Sequence, residues 1–288
     1  MSKVAIVTDS NSGISINEND EDLYVLPMPF LINEAEYFEE VSLSQKEFYE
    51  KLKNNANIST SQPSPFNVTE IWDKALETHD ELVYIPMSSG LSESCNTAKN
   101  LAKNYNNKVY VVNNQRISVT QKESVYEALK LAKQGKTAKE IKDILKQRRL
   151  DSSIYITVAT LSYLKKGGWI TPAAAILGSL LNIKPILQIH GGKLDAYAKV
   201  LSFGQAKMRM INAIKKDLET VFKEYYDNGE MVLEIAHTNI PEEAEKFKQE
   251  IQRNFPNMQI TYIDPLSLSV ACHIGPGSVS YTHLRAHE

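Results

Sequence analysis

Leu82-Val83-Tyr84-Ile85-Pro86-Met87-Ser88-Ser89-Gly90-Leu91-Ser92 is the stretch that decides the fold. An apolar run rich in β-formers stops at Ile85 and a Ser-Ser-Gly turn follows. Apolar positions then recur at helical spacing through Cys95, Ala98, Ala102 and Tyr105. Strand, tight turn and helix in that order make half of a βαβ unit, whose chain must cross over to a parallel neighbour. Similar short runs stand at Val4–Val7, Tyr24–Leu26 and Val109–Val112, with helical segments between them, so residues 1–150 read as a parallel-sheet α/β domain. The helix starts carry explicit signals. Ser44 with Glu47 and Thr137 with Glu140 have capping-box spacing. Ser64 followed by Pro65 opens a helix whose apolar stripe is Val68, Ile71, Trp72, Ala75 and Leu76, and Gly135 closes another.

Beyond about residue 150 the texture changes. Ile154–Val158, Pro185–Ile189, Leu194–Val200, Met231–His237, Met258–Ile263 and Ser269–His273 read as strands. His190-Gly191-Gly192-Lys193 reads as a hairpin turn, which requires antiparallel pairing, so residues 151–277 are expected to form an α+β domain with a mixed sheet. The run Ala173-Ala174-Ala175-Ile176-Leu177-Gly178-Ser179-Leu180-Leu181 is small and apolar. It suits a buried helix, or the wall of an apolar tunnel, because small side chains leave room that large ones fill. Ser278–Glu288 continues no apolar pattern and reads as a non-native tail, so its removal is expected to leave folding unaltered.

Composition narrows the function classes. At 288 residues the chain is long for one core, and two domains are expected. A net charge of −3 gives no reason to expect nucleic acid as a partner. No run approaches the roughly 20 apolar residues of a membrane span, so stable membrane insertion is not expected. Two cysteines, Cys95 and Cys272, without Cys-x-x-Cys spacing argue for a reducing compartment, and the chain reads as cytoplasmic. Gly-x-Gly-x-x-Gly after the first strand, Gly-x-Ser-x-Gly, His-Glu-x-x-His and a P-loop are all missing. His79, His190 and His237 show no metal-ligand spacing, and no cofactor is implied.

The polar candidates lie at element edges. Ser92 stands where a helix N-cap is expected, a position that either caps the helix or, with the N–H groups and dipole of that helix end, receives an anion such as a carboxylate. Thr60, in Ser59-Thr60-Ser61-Gln62-Pro63-Ser64-Pro65, has the same two readings. His273 precedes Gly275-Pro276-Gly277, a constrained turn that fixes where its ring points. Asp9 ends the first strand and either bonds turn N–H groups or lies on the rim of a site.

These stretches, together with Tyr163-Leu164-Lys165-Lys166-Gly167-Gly168 and Leu180-Leu181-Asn182-Ile183-Lys184-Pro185-Ile186-Leu187, resemble in collinear order the signature of the DegV family, whose members bind fatty acids. The resemblance implies a carrier without catalytic activity of its own. Thr60 and Ser92 would hold the carboxyl group of a long-chain fatty acid, with Ser61, Ser89 and His273 in the same hydrogen-bond network. Ala174, Ile176, Leu177, Leu180 and Leu181 would line the acyl tunnel. It further implies a fatty-acid kinase as partner. Trp169 and Leu201, however, stand where many members carry arginines near the docking mouth, so weak support of a generic kinase is expected. The alternative is a serine acyl hydrolase, with Ser92 as nucleophile, His273 as base and Asp9 orienting it.

Overall fold

A computed structural model describes residues 2–54, 56–169 and 183–286. The chain divides into two compact units, Met1–Arg149 with Ser267–Ser269, and Leu150–Leu266 with Val270–Glu288. The tunnel residues Ala174, Ile176, Leu177, Leu180 and Leu181 lie outside the described residues.

In the first unit, β1 (Val4–Asp9), β2 (Leu23–Leu26), β6 (Glu81–Ile85) and β7 (Val109–Val111) form a wholly parallel sheet in the order β2-β1-β6-β7. Both of its faces are covered, as parallel strands require. Val4, Ile6, Val83 and Ile85 pack against Val125, Leu129, Ile141 and Leu145. The alternate residues Ala5, Val7, Leu82 and Tyr84 pack against Val68, Trp72, Cys95 and Ala98. Both capping boxes form, and Ser64 Oγ accepts from Asn67 N–H at 3.1 Å with Pro65 in the first helical turn. Of the two predicted stripes, Ile71, Leu76, Ala102 and Tyr105 are only half-buried. The sequence reading missed a separate antiparallel sheet of β3 (Pro29–Ile32), β4 (Ala35–Phe38) and β5 (Ile58–Thr60), ordered β4-β3-β5. β4 is exposed at Ala35 and Glu36 and only half-buried at Tyr37 and Phe38, so no buried apolar run marks it in the sequence.

The second unit holds a mixed sheet. Its order is β10 (Leu194–Val200), β9 (Lys184–Ile189), β8 (Ser152–Thr157), β13 (Val279–Arg285), β11 (Met231–His237) and β12 (Ile260–Pro265). The expected hairpin joins β9 to β10 in antiparallel register, with Gly191 and Gly192 at φ of 76° and 96° in its turn. One sheet face, carrying Tyr155, Ile186, Leu233, Ile235 and Tyr281, packs on Met210, Ile211 and Ile214 of helix Phe203–Glu219 and on Phe247 and Ile251 of helix Pro241–Asn254.

Two expectations are corrected here. Ser269–His273 is not a strand: Leu268–Ile274 is a helix, which closes where Gly275 turns left-handed at φ 72° and donates to Ala271 O at 2.9 Å. Three apolar residues, Val270 to Cys272, between Ser269 and His273 cannot by themselves separate the two periods. The run Ser278–Glu288 is not a dispensable tail. Val279–Arg285 pairs with β8 on one side and β11 on the other, and Val279 to Leu284 are all buried. Its alternation of Val279, Tyr281 and His283 with Ser280, Thr282 and Leu284 is a strand pattern in which hydroxyls sit within the sheet.

Candidate functional site

In the parallel sheet the chain runs outward from β1 to β2 on one side and from β6 to β7 on the other. The ends of β1 and β6, Asp9 and Ile85, therefore flank a topological switch point, where open α/β sheets bind ligands. The loops beyond them are polar, and Ser10, Asn11, Ser12 and Ser88 within them are buried. Asp9 accepts from Met87 N–H at 2.8 Å, from the backbone N–H of Asn11 at 3.1 Å and its Nδ2 at 2.9 Å, and from Gln121 Nε2 at 3.1 Å. Its carboxyl is fully buried, and burial pushes it above the ordinary carboxylate range against the downward pull of those bonds. Asp9 thus ties the loop after β1 to the loop after β6. That is its turn-bonding reading, and it leaves the hydrolase alternative without support from this residue, because the carboxylate is engaged by four donors and none is an imidazole.

Ser88-Ser89-Gly90-Leu91-Ser92 closes on itself. Ser88 N–H donates to Arg116 O at 2.9 Å, Gly90 N–H to Ser88 Oγ at 3.1 Å, and Leu91 and Ser92 N–H to Ser88 O at 3.0 and 3.2 Å. Ser89 is held at two points by Asn113, whose Nδ2 donates to Ser89 Oγ at 2.6 Å while its Oδ1 accepts Ser89 N–H at 3.2 Å. The five loop amides from Ser88 to Ser92 are therefore all engaged, three of them within the loop and two by Arg116 O and Asn113 Oδ1, so any N–H group offered to an anion comes from the helix start beyond them. Ser92 is also not the N-cap. The helix is Ser94–Ala102 with Glu93 at the cap position, and Ser92 Oγ accepts Ser94 N–H at 3.2 Å. That bond uses a lone pair of Ser92 and leaves its proton to donate.

Thr60 ends β5, opposite Phe30, and Ser61 follows it on the surface. Gln62, two residues beyond Thr60, reaches the helix that follows Ser92: its Oε1 accepts from Thr97 Oγ1 of helix Ser94–Ala102 at 3.1 Å. Asn113, Asn11 and Gln121 were missed by sequence reading. Only Asn113 had a signal, as part of an Asn-Asn pair at the end of an apolar strand run.

In the second unit His273 is buried, and burial alone lowers its imidazole to about 4, so it is neutral near pH 7. Its ring stacks on Trp169 with centroids 4.0 Å apart and planes at 5°. Leu201 is 74% exposed. Among the described residues no cluster of His, Cys, Asp and Glu could hold a metal ion, and no helix is long and apolar enough to cross a membrane.

Comparison with known proteins places the chain. A family profile described as "Uncharacterised protein, DegV family" matches residues 3–285, and thus reaches through β13. A DegV domain-containing protein of Clostridium perfringens is 30% identical over 284 residues, which cover 97% of each chain. The structure named for fatty acid binding of a DegV family protein from Thermus thermophilus superposes with a TM-score of 0.87 at 25% identity, over 98% of this chain and 99% of that one. A fatty acid binding DegV family protein from Streptococcus agalactiae shares the fold, with a TM-score of 0.88 at 24% identity over 100% of both chains. This chain belongs to the DegV family.

Proposed function

We propose that the protein binds one long-chain fatty acid and acts as a carrier. On the first unit, the hydroxyls of Thr60 and Ser92 would hold the carboxyl group, with Ser61 and Ser89 beside them. On the second, His273 would contribute to the head group, and Ala174, Ile176, Leu177, Leu180 and Leu181 to the acyl chain. The observation that carries this reading is the Ser88–Ser92 loop: it stands at the switch point of a DegV-family sheet with a hydroxyl donor available and its backbone amides engaged. Fatty acid binding in the Thermus thermophilus relative supports it. About fourteen buried methylenes at ~0.8 kcal/mol each give an upper figure of about 11 kcal/mol, so the tail sets affinity and the head group sets orientation.

Lipid extraction and mass spectrometry of the purified protein should find one C14–C20 acid per chain. Extracts without stoichiometric fatty acid, together with no uptake after delipidation, would sink the carrier reading. Thr60→Ala and Ser92→Ala should each weaken palmitate binding by about 1–3 kcal/mol, the range for a hydrogen bond to a charged group. Both variants should keep a cooperative thermal melt, and the fatty alcohol should lose its disadvantage against the acid.

Presentation of the bound acid to a fatty-acid kinase is the second half of the proposal. Trp169 is engaged with His273 and Leu201 is an exposed apolar residue, so neither supplies the cation that the family pattern places there. Acyl-phosphate formation with a kinase from another organism should be weak and should rise on Leu201→Arg. Efficient turnover of the unmodified protein would show that docking uses other residues.

A further inference from the structure

Two glycine-ended helices interlock through residues of the second unit, Tyr163 and Gly167 on one side and His273 and Gly275 on the other. Helix Ser162–Lys166 ends at Gly167-Gly168, with Gly168 at φ 72°, and that turn brings Trp169 N–H back onto Leu164 O at 3.1 Å. Helix Leu268–Ile274 ends at Gly275, also at φ 72°. A Cβ on Gly167 would stand 2.0 Å from His273 Nδ1, and a Cβ on Gly275 would stand 2.4 Å from the Tyr163 ring. Each helix therefore lays one ring on the other's terminal glycine: His273 on Gly167, and Tyr163 on Gly275. Any side chain at either glycine would displace the ring it meets. Trp169 adds a flat aromatic face to His273, with ring planes 5° apart.

We infer that Trp169 is a positioning residue for ligand binding: stacked on His273, it holds the imidazole against Gly167 in one orientation and keeps water from it, so that a fatty-acid head group meets a pre-oriented hydrogen-bonding ring. The inference rests on the carrier reading above. It gives Trp169 a role that the arginine of the family pattern could not fill by charge, because a neutral aromatic plane works by contact and exclusion of water. The titratable groups of the two packed helices are Tyr163, Lys165 and Lys166 on one and Cys272 on the other. Both lysines are exposed, and burial is the cause that lowers the His273 imidazole to about 4. With the indole gone and the ring wet, its titration should return toward the ordinary 6.5.

The test combines a ligand-free readout with a binding readout. Imidazole proton shifts, assigned to His273 by their loss in His273→Ala, are followed from pH 4 to 8 in the unmodified protein, Trp169→Ala and Trp169→Phe. Binding of oleate is measured in parallel. The unmodified protein should keep His273 neutral down to about pH 5, whereas Trp169→Ala should titrate between pH 6 and 7. At pH 8 the alanine variant should bind oleate about tenfold more weakly, the loss of one oriented hydrogen bond. It should recover part of that deficit by pH 5.5, when an imidazolium stands beside the carboxylate. Trp169→Phe should stay within about threefold, because it keeps an aromatic plane. In a His273→Ala background, Trp169→Ala should cost nothing further. An unchanged His273 titration in Trp169→Ala overturns the inference, and so does an undiminished cost in the His273→Ala background, which would place Trp169 on the acyl chain instead. Failure of the unmodified protein to bind any fatty acid overturns the carrier reading, and the titration then still decides whether Trp169 sets the state of the ring.

Discussion

Removal of Ser278–Glu288 is expected to abolish cooperative folding of the second unit. The strand Val279–Arg285 is interior to the six-stranded sheet, so its loss breaks two antiparallel ladders and leaves β8 and β11 facing a gap with unpaired edges. Val279, Tyr281 and Leu284 are buried, and burying three such side chains is worth about 5–9 kcal/mol. That is comparable with the whole stability of an ordinary domain, about 5–15 kcal/mol. The Tyr281 ring also packs on Phe247 and Phe255 at centroid distances of 5.8 and 6.3 Å, joining the strand to helix Pro241–Asn254 and the residue after it. Tyr281→Ala is the milder form of the experiment and should cost about 3–5 kcal/mol, the range for truncating a buried aromatic. Thermal melts and limited proteolysis check both. A truncated chain with the full-length melting profile would show that the strand packs without stabilising anything.

This strand also shows where the sequence stopped being informative. Its hydroxyls and histidine, Ser280, Thr282 and His283, suggest a solvated segment, yet all three are buried because the sheet closes around them. Position in the topology overrides composition here, as tertiary context does for strands generally. The parallel sheet was legible for the opposite reason. Val4–Val7 and Leu82–Ile85 are apolar at consecutive positions, as strands covered on both faces must be, and capping boxes mark the helices between strands.

At the candidate site, sequence reading found the residues that can touch a ligand and missed those that hold them. Ser88–Ser92 announced itself by a strand, a Ser-Ser-Gly turn and a helix. Asn113 and Gln121, which bind that loop and Asp9, come from elsewhere in the chain, and Gln121 lies 112 positions from Asp9. No local period encodes such partners. The same limit applied to the backbone amides. Spacing pointed to a helix end open to an anion, but only the loop's folded path showed Ser88 O and Ser88 Oγ taking the N–H groups of Gly90, Leu91 and Ser92 ahead of that end.

Glu39 gives the second large effect, one of pH. It follows β4, and its carboxyl accepts Leu268 N–H at 2.9 Å, across 229 positions of chain, and Gln45 Nε2 at 3.3 Å. Leu268 belongs to the short segment Ser267–Ser269 that packs with the first unit, where Ser267 and Ser269 also donate to Asn11 Oδ1. Burial pushes the Glu39 carboxyl from 4.5 up to about 8, with Glu40 adding repulsion and the Leu268 and Gln45 bonds opposing. Below about pH 4.5 the group is protonated in the folded and unfolded chain alike, and its contribution to stability is complete. Above that the unfolded chain releases the proton while the folded chain keeps it until about pH 8. Stability therefore falls across that interval and levels off beyond it. At about 1.4 kcal/mol per pH unit the ceiling is about 5 kcal/mol. Glu39→Gln retains an acceptor for Leu268 N–H and cannot ionise, so it should match the unmodified protein near pH 5 and exceed it by about 2–5 kcal/mol at pH 8.5. Asp9, also raised by burial, weakens the protein in the same direction but is common to both chains and cancels in the difference. Urea titrations at half-unit steps from pH 4.5 to 9 measure it. Parallel stability curves for the two proteins would mean that Glu39 reaches water and ionises without loss, and that the segment from Ser267 to Ser269 does not depend on its proton.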